Sequence, residues 1–241
     1  MPLVLLHGFT GSPASWDGVV RCLTGEPPTR PALLGHGAPR ATEARTFSEE
    51  VERLVALFPS EPVHLAGYSL GARLALGIAL AQPSRVARLT LISGQAGLAS
   101  ETARAERRRA DAEWCALLES GGIERFVDGW ERQPLFLTQT KIKAELRAQH
   151  RAGRLSHDPG GLARSLRVLG LAEMPDFAAL LPNVRVPVTL VVGELDTKFV
   201  GLGREMAQAF PHARLVIAPN AGHDLLLEAP DLVARELSQA P

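Results

Sequence analysis

The chain has 241 residues, enough for one α/β domain carrying an insertion or for two small domains. Its 26 basic and 26 acidic residues cancel to zero net charge, which argues against a broad nucleic-acid or membrane surface. Hydrophobic residues make up 46% of the chain, enough for a sizeable core, yet no run is long and apolar enough to span a bilayer. It opens with PLVLLHG, a short apolar run without a basic lead, so no signal peptide is expected and a cytoplasmic location is. Cys22 and Cys115 lie far apart with no metal or redox spacing and read as reduced, partly buried thiols. Lysine occurs only at Lys141, Lys143 and Lys198, so nearly all basic residues are arginine. No single arginine is therefore informative without its position.

The predicted elements run as follows. Leu3–Leu6 is an apolar run ending in His7-Gly8, as expected of a strand buried on both faces of a parallel sheet. After a loop, 15–23 can form a short helix. A weak strand is expected at 32–34 within PTRPALLGHGAPR, followed by a glycine-rich loop. Val51, Leu54, Val55 and Phe58 recur at spacings of three and four, predicting an amphipathic helix over 48–58 with Ser48 as N-cap. Strand 63–66, apolar helix 70–81 and strand 86–92 follow. From 97 to 176 the alternation stops, and arginine, glutamate and alanine dominate in helical patterns. It resumes with strand 188–192, helix 203–210, strand 215–218 and helix 230–237. The pattern is an α/β core, 1–96 and 177–241, with helices on a mostly parallel sheet and an inserted helical cap over 97–176.

Gly67-Tyr68-Ser69-Leu70-Gly71 is a Gly-x-Ser-x-Gly turn between a predicted strand and a predicted helix, the context that presents a nucleophilic serine. A serine hydroxyl needs a base, and the base an orienting acid. Asp196 follows the strand VTLVVG, and His223 follows the strand RLVIA. Catalytic groups of open α/β sheets gather at such strand ends. Glu194 is a rival acid nearer its strand, whereas Asp224 cannot easily reach round to its neighbour His223. His7 and His36, in tight glycine-flanked loops, read as structural, and His150, His157 and His212 as surface residues. An oxyanion site needs two N–H donors, expected from Leu70 and from Phe9 in LHGFTGS. No metal or dinucleotide motif appears, and no cofactor is expected.

These residues resemble the α/β-hydrolase superfamily across the whole chain. The segments LHGFTGS, GYSLGARLAL, ISGQAGL, RAERRRADAEW, RLSHDPGGLARSLR, GELDTKF and NAGHD are more specifically similar to the 2-succinyl-6-hydroxy-2,4-cyclohexadiene-1-carboxylate synthases of menaquinone biosynthesis. The resemblance implies a lyase on a hydrolase scaffold, eliminating pyruvate from a small tricarboxylate. It implies carboxylate binding by Arg73, Arg107 and Arg154, a pocket wall from Trp130, and Tyr68 beside the nucleophile. Arginine suits bidentate carboxylate binding. Arg73, four residues after Ser69, is well placed. Arg104, Arg108 and Arg109 compete with Arg107, and Arg151 with Arg154. The region TRPALLGHG lacks the aspartate-containing form usual in the family. A serine esterase or carbon–carbon bond hydrolase with the same triad is the alternative, and a non-catalytic ligand-binding module is a second. No nucleic-acid or membrane partner is expected, and the oligomeric state is open, a monomer included.

Overall fold

The computed structural model describes residues 1–37 and 44–239. Among them β1 (Leu3–Leu6), β2 (Val63–Tyr68), β3 (Val86–Ile92), β4 (Val188–Gly193) and β5 (Ala213–Ala218) form one sheet in the order β1-β2-β3-β4-β5. Every neighbouring pair is parallel, with Leu6 opposite Gly67, Gly67 opposite Leu91, Leu91 opposite Leu190, and Gly193 opposite Ala218. This register brings the C-terminal strand ends side by side. The segments that follow them therefore meet at one edge of the sheet.

Alternate residues of a strand face opposite sides. Val4, Leu6, Leu65, Leu89, Leu91 and Leu190 face one apolar cluster. Strands laid down in one direction with right-handed crossovers put the crossing helices on a common face. Accordingly α2 (Phe47–Val55), α3 (Leu70–Ala81) and α7 (Thr197–Ala209) all contribute to that cluster. Leu5, Ala66, Ile92 and Val191 face a second cluster, with Trp16, Val19, Leu226 and Val233. Its helical side comes from α1 (Asp17–Val20), α8 (Leu225–Glu228) and α9 (Pro230–Ser238).

Between β3 and β4 the chain forms α4 (Glu101–Trp130), α5 (Ala144–Leu155) and α6 (Pro159–Leu169), all within 97–176. They share a third cluster, including Cys115, Leu118, Phe126, Trp130 and Leu162, and Phe9 of the core packs against it. Helix α4 breaks at Gly122, where φ is 75° and ψ 179°. Glycine adopts that conformation without steric cost. The break re-aims the last turns of α4 and sets Trp130 under the loop after β1.

Several elements differ from expectation. Ala32–Leu34 is not a strand, and the segment before it meets β1 through an isolated bridge of Thr29 opposite Val4. Leu33 and Leu34 are instead buried in loop, their N–H groups donating to His7 Nε2 and Glu50 Oε1. The end of that loop, 38–43, lies outside the described residues. Helix α2 starts at Phe47, because the Thr46 hydroxyl, not Ser48, accepts from Glu49 N–H as N-cap. The early helix is a 3-10 turn, Pro13–Trp16, running into α1. Helix α7 begins at Thr197, six residues earlier than the apolar spacing suggests, because Asp196 caps it. Cys22 is exposed and Cys115 buried. No helix among the described residues is long and apolar enough to cross a membrane.

A close backbone contact joins α3 to β1. A Cβ on Gly71 would lie 2.1 Å from the Leu6 carbonyl oxygen, and one on Gly67 would lie 2.2 Å from the Gly71 oxygen. Both partners are backbone and cannot swing aside. Gly71→Ala is expected to lower unfolding free energy by about 3 kcal/mol in urea titration. Gly153→Ala, inside α5 with no atom near its Cβ position, is expected to raise it by about 0.5–1 kcal/mol. A Gly71→Ala variant as stable as the parent would contradict the packing described.

Candidate active site

Ser69 is the N-cap of α3, with φ 52° and ψ −105°. A non-glycine residue there costs about 1–3 kcal/mol. Its surroundings hold it in place. The Ser69 N–H donates to Ile92 O at 2.9 Å, extending the β2–β3 ladder, and Ser69 O accepts from Arg73 N–H at 3.1 Å, starting the helix. The side chain is left at the sheet edge. Its hydroxyl donates to His223 Nε2 at 3.1 Å, and His223 Nδ1–H donates to Asp196 Oδ2 at 2.7 Å. These two bonds require the tautomer in which Nδ1 carries the proton. Asp196 Oδ1 also accepts from Phe199 N–H at 3.4 Å, so the cap of α7 orients the acid.

His223 is 2% exposed. Its carbonyl accepts from the Ser93 hydroxyl at 2.9 Å, and the Phe199 ring meets its imidazole edge-on at 4.5 Å. Glu228 grips both sides of it, accepting from Gly222 N–H at 2.8 Å and Asp224 N–H at 3.3 Å. Burial raises the Glu228 carboxyl above the usual range. The rival acid Glu194 is exposed and accepts from Asn220 N–H instead, shaping the turn after β5.

Phe9 and Leu70 both line the cavity that Ser69 borders. Leu70 opens α3, so its N–H has no intrahelical acceptor. Three histidines fix the loop carrying Phe9. His36 Nε2 accepts from Thr10 N–H at 3.1 Å, and His157 Nε2 donates to Thr10 O at 3.1 Å. His7 Nδ1 donates to Gly8 O at 2.8 Å. Burial lowers all three, His7 to about 4, and so keeps them neutral. His157, expected at the surface, is thus a contact from the cap to this loop.

Two cavities flank Ser69. The larger, about 290 Å³, is lined by Arg73, Arg107, Trp114, Lys198 and Phe199 among others. The smaller, about 50 Å³, is lined by Tyr68, His150, Arg154 and Asp224 among others. Ser69, Phe9, Trp130 and His223 border both. The three expected arginines therefore bracket the nucleophile from two sides rather than sharing one pocket. Their competitors are engaged elsewhere. Arg104 donates to the carbonyls of Leu98, Ala172 and Met174. Arg108 pairs with Glu101 and Glu173, Arg109 is exposed, and Arg151 pairs with Asp128 and Glu131.

The electrostatic states of the three differ. Arg107 pairs with Asp111 at 2.8 Å, and Arg154 with Glu131 at 2.8 Å while lying over the Phe136 ring. Arg73 has no carboxylate partner among the described residues. It donates to Leu169 O at 2.8 Å, and burial, with the nearby Arg107 cation, pushes it down to about 9. Trp130 is buried against Phe9, Trp114 and Phe126.

Lys198, His150 and Asp224 also line these cavities and were not expected to. Lys198 had a signal, being one of three lysines and two residues after Asp196. His150 had none, since it sits in a charged helix that reads as solvated. Among the described residues no group of three or more His, Cys, Asp or Glu could hold a metal ion.

A model of the alpha/beta hydrolase family matches residues 3–236. The chain belongs to that family. It is 35% identical to a Bacillus subtilis (strain 168) relative, over 98% of this chain and 89% of the relative, whose name assigns it provisionally as a 2-succinyl-6-hydroxy-2,4-cyclohexadiene-1-carboxylate synthase. It is 31% identical, over 98% and 90%, to the synthase of that name from Enterobacter sp. (strain 638). The solved structure of MenH from S. aureus superposes with a TM-score of 0.93 at 30% identity, over 98% and 91%. A malate-bound thermophilic esterase from Thermogutta terrifontis superposes at 0.80 with 26% identity, over 98% and 88%.

A half-buried cation without an ion-pair partner carries a desolvation cost that an apolar residue of similar length removes. Below its folded pKa Arg73 is charged in both states, and that cost is fully present. As pH rises past about 9 the folded state sheds the proton first, so stability rises. Arg73→Met is expected to raise unfolding free energy at pH 7 by about 1–2 kcal/mol while weakening binding of a polycarboxylate ligand. Parallel thermal melts and calorimetric titration check this, and a variant less stable than the parent would show that Arg73 is compensated in the free protein.

Proposed function

We propose that the chain eliminates pyruvate from 2-succinyl-5-enolpyruvyl-6-hydroxy-3-cyclohexene-1-carboxylate, giving 2-succinyl-6-hydroxy-2,4-cyclohexadiene-1-carboxylate in menaquinone biosynthesis. The observation that carries this reading is the unpaired Arg73 guanidinium on the same cavity as a hydrogen-bonded Ser69–His223–Asp196 relay. The full-length relatives bearing the synthase name support it.

His223 takes the Ser69 proton, and Asp196 stabilises the resulting imidazolium. The Ser69 oxygen then removes the ring proton beside the succinyl carbonyl. Charge moves onto that carbonyl oxygen, where the Phe9 and Leu70 amides are placed as donors. The electron pair shifts through the ring double bond and breaks the C–O bond to the enolpyruvyl group. That group leaves as the enolate and is protonated on carbon to pyruvate. The abstracted proton passes back through His223. Arg73, Arg107 and Arg154 hold the carboxylates so that the C–H, not a carbonyl carbon, lies against Ser69. Base and charge stabilisation both come from the chain, so this reading calls for no cofactor. It places the reaction in the cytoplasm, on a small polycarboxylate, without a protein or nucleic-acid partner.

The second reading is an esterase acting through an acyl-enzyme. The likeness to the malate-bound Thermogutta esterase favours it, since the same relay serves either chemistry. Purified protein is expected to release pyruvate from the substrate, with ester turnover far slower. Ser69→Ala should reduce release by about 10³-fold or more. The plot of kcat/KM against pH should fall above about 9, where Arg73 loses its charge. Rapid ester turnover with an acyl-Ser69 adduct in mass spectrometry, and no pyruvate, would replace elimination by hydrolysis.

A further inference from the structure

The smaller cavity holds a second histidine–carboxylate pair, on the other side of Ser69 from Arg73. His150 Nε2 lies 3.3 Å from Asp224 Oδ2. The same oxygen accepts from Gln139 Nε2 at 3.3 Å, and Asp224 is 3% exposed. Beside a carboxylate oxygen the tautomer with the proton on Nε2 is the favoured one, and it leaves a lone pair on Nδ1. Nδ1 is buried and has no hydrogen-bond partner among the described residues, and the same holds for Arg154 Nε and Trp130 Nε1. All three residues line the one small cavity beside Ser69. Such buried polar atoms are costly unless something fills their bonding capacity. Two of them are donors and one is an acceptor.

A lone carboxylate would satisfy the donors and leave His150 Nδ1 without a hydrogen. A hydroxyl beside a carboxylate offers a partner of the right kind to each of the three. His150 and Arg154 stand four residues apart on α5, so their side chains are neighbours on one helix face. Resting on the reaction proposed above, the substrate carries one such unit, a hydroxyl and a carboxylate on adjacent ring carbons.

We propose that His150, oriented by Asp224, recognises the ring hydroxyl of the substrate as an acceptor at Nδ1, while Arg154 takes the adjacent ring carboxylate. The assignment also bears on which bond breaks. The hydroxyl must stay while the neighbouring enolpyruvyl oxygen leaves. A neutral imidazole drawing on the hydroxyl proton leaves more charge on that oxygen and makes it a poorer leaving group. Burial lowers the His150 imidazolium, which favours the acceptor form. His150 is thus a specificity-determining residue, separate from the Ser69 relay.

The test uses two probes, trans-2-hydroxycyclohexanecarboxylate and cyclohexanecarboxylate. Their affinities are read from protection of Ser69 against a serine-reactive phosphonate. The hydroxy acid is expected to protect at least tenfold better than the deoxy acid in the parent protein. In His150→Phe the ratio should fall to near one with the deoxy acid unchanged within twofold, and Arg154→Met should weaken both acids. If His150→Phe fails to fold, Asp224→Asn, which removes the tautomer lock, should cut the ratio at least threefold. His150→Gln, which keeps an acceptor, should recover part of the preference. A parent ratio near one, or a ratio retained in His150→Phe or Asp224→Asn, overturns the proposal. Pyruvate release by the parent protein is measured separately. Its absence would remove the elimination reading while the probe ratio still decides what His150 binds.

Discussion

The site depends on one contact, the approach of α3 to the end of β1 through Gly71. With no Cβ at that position the helix seats directly against the Leu6 carbonyl. The link between β2 and α3 is then too short for a relaxed turn, and Ser69 is driven to positive φ. That conformation lifts its oxygen off the sheet edge toward His223. The strain is tolerated because Ser69 is tied at both ends, to Ile92 of β3 and to Arg73 of α3. The position of the Ser69 hydroxyl and its distance to His223 both follow from a single missing methyl group.

A second constraint is electrostatic. Arg107 and Arg154 meet the site already paired, with Asp111 and Glu131. Pairing fixes the plane of each guanidinium, while leaving other N–H donors for a ligand. Arg73 is held differently, by the Leu169 carbonyl and the Met174 sulfur and near the positive end of α3. A carboxylate arriving there meets an uncompensated cation and a helix N-terminus together. Differential interaction of this kind gives a free site affinity for anions without a large rearrangement.

Much of this was legible in the sequence, and the reason is periodicity combined with punctuation. Strands β1 and β3 and helix α3 have the bounds their apolar runs suggest, because each is bounded by glycine, proline or a cap. The relay of Ser69, Asp196 and His223 was legible because each residue follows a strand, and the register places those strand ends together. What could not be read was set by tertiary contact. Leu33 and Leu34 look like a strand because they are apolar, but their backbone hydrogen bonds go to His7 and Glu50 side chains from elsewhere in the chain. His150, in a charged helix, and His157, in the turn after it, look like surface residues, but the cap lays them over the core. The choice of Arg107 among four arginines rested on resemblance; of the four, Arg107 lines the cavity that Ser69 borders, while Arg104 and Arg108 are engaged elsewhere and Arg109 is exposed.

The division of parts between core and cap bears on how one relay can serve two chemistries. Ser69, Asp196, His223 and the oxyanion loop all come from the core, whereas Arg107, Trp130, His150 and Arg154 come from α4 and α5. A serine oxygen relieved of its proton is both a nucleophile and a base. Which role it plays depends on whether a carbonyl carbon or an acidic C–H lies within reach, and on which oxygen the Phe9 and Leu70 amides face. The core supplies the same alkoxide in either case. The cap, by fixing carboxylates on both sides of Ser69, decides which substrate atom is presented to it. A hydrolase could therefore become a lyase through residues that never touch the reacting proton. The contact of His157 with Thr10 and of Phe9 with the cap cluster ties that same element to the loop carrying Phe9, so on the proposed reading the element that chooses the substrate also steadies the oxyanion loop.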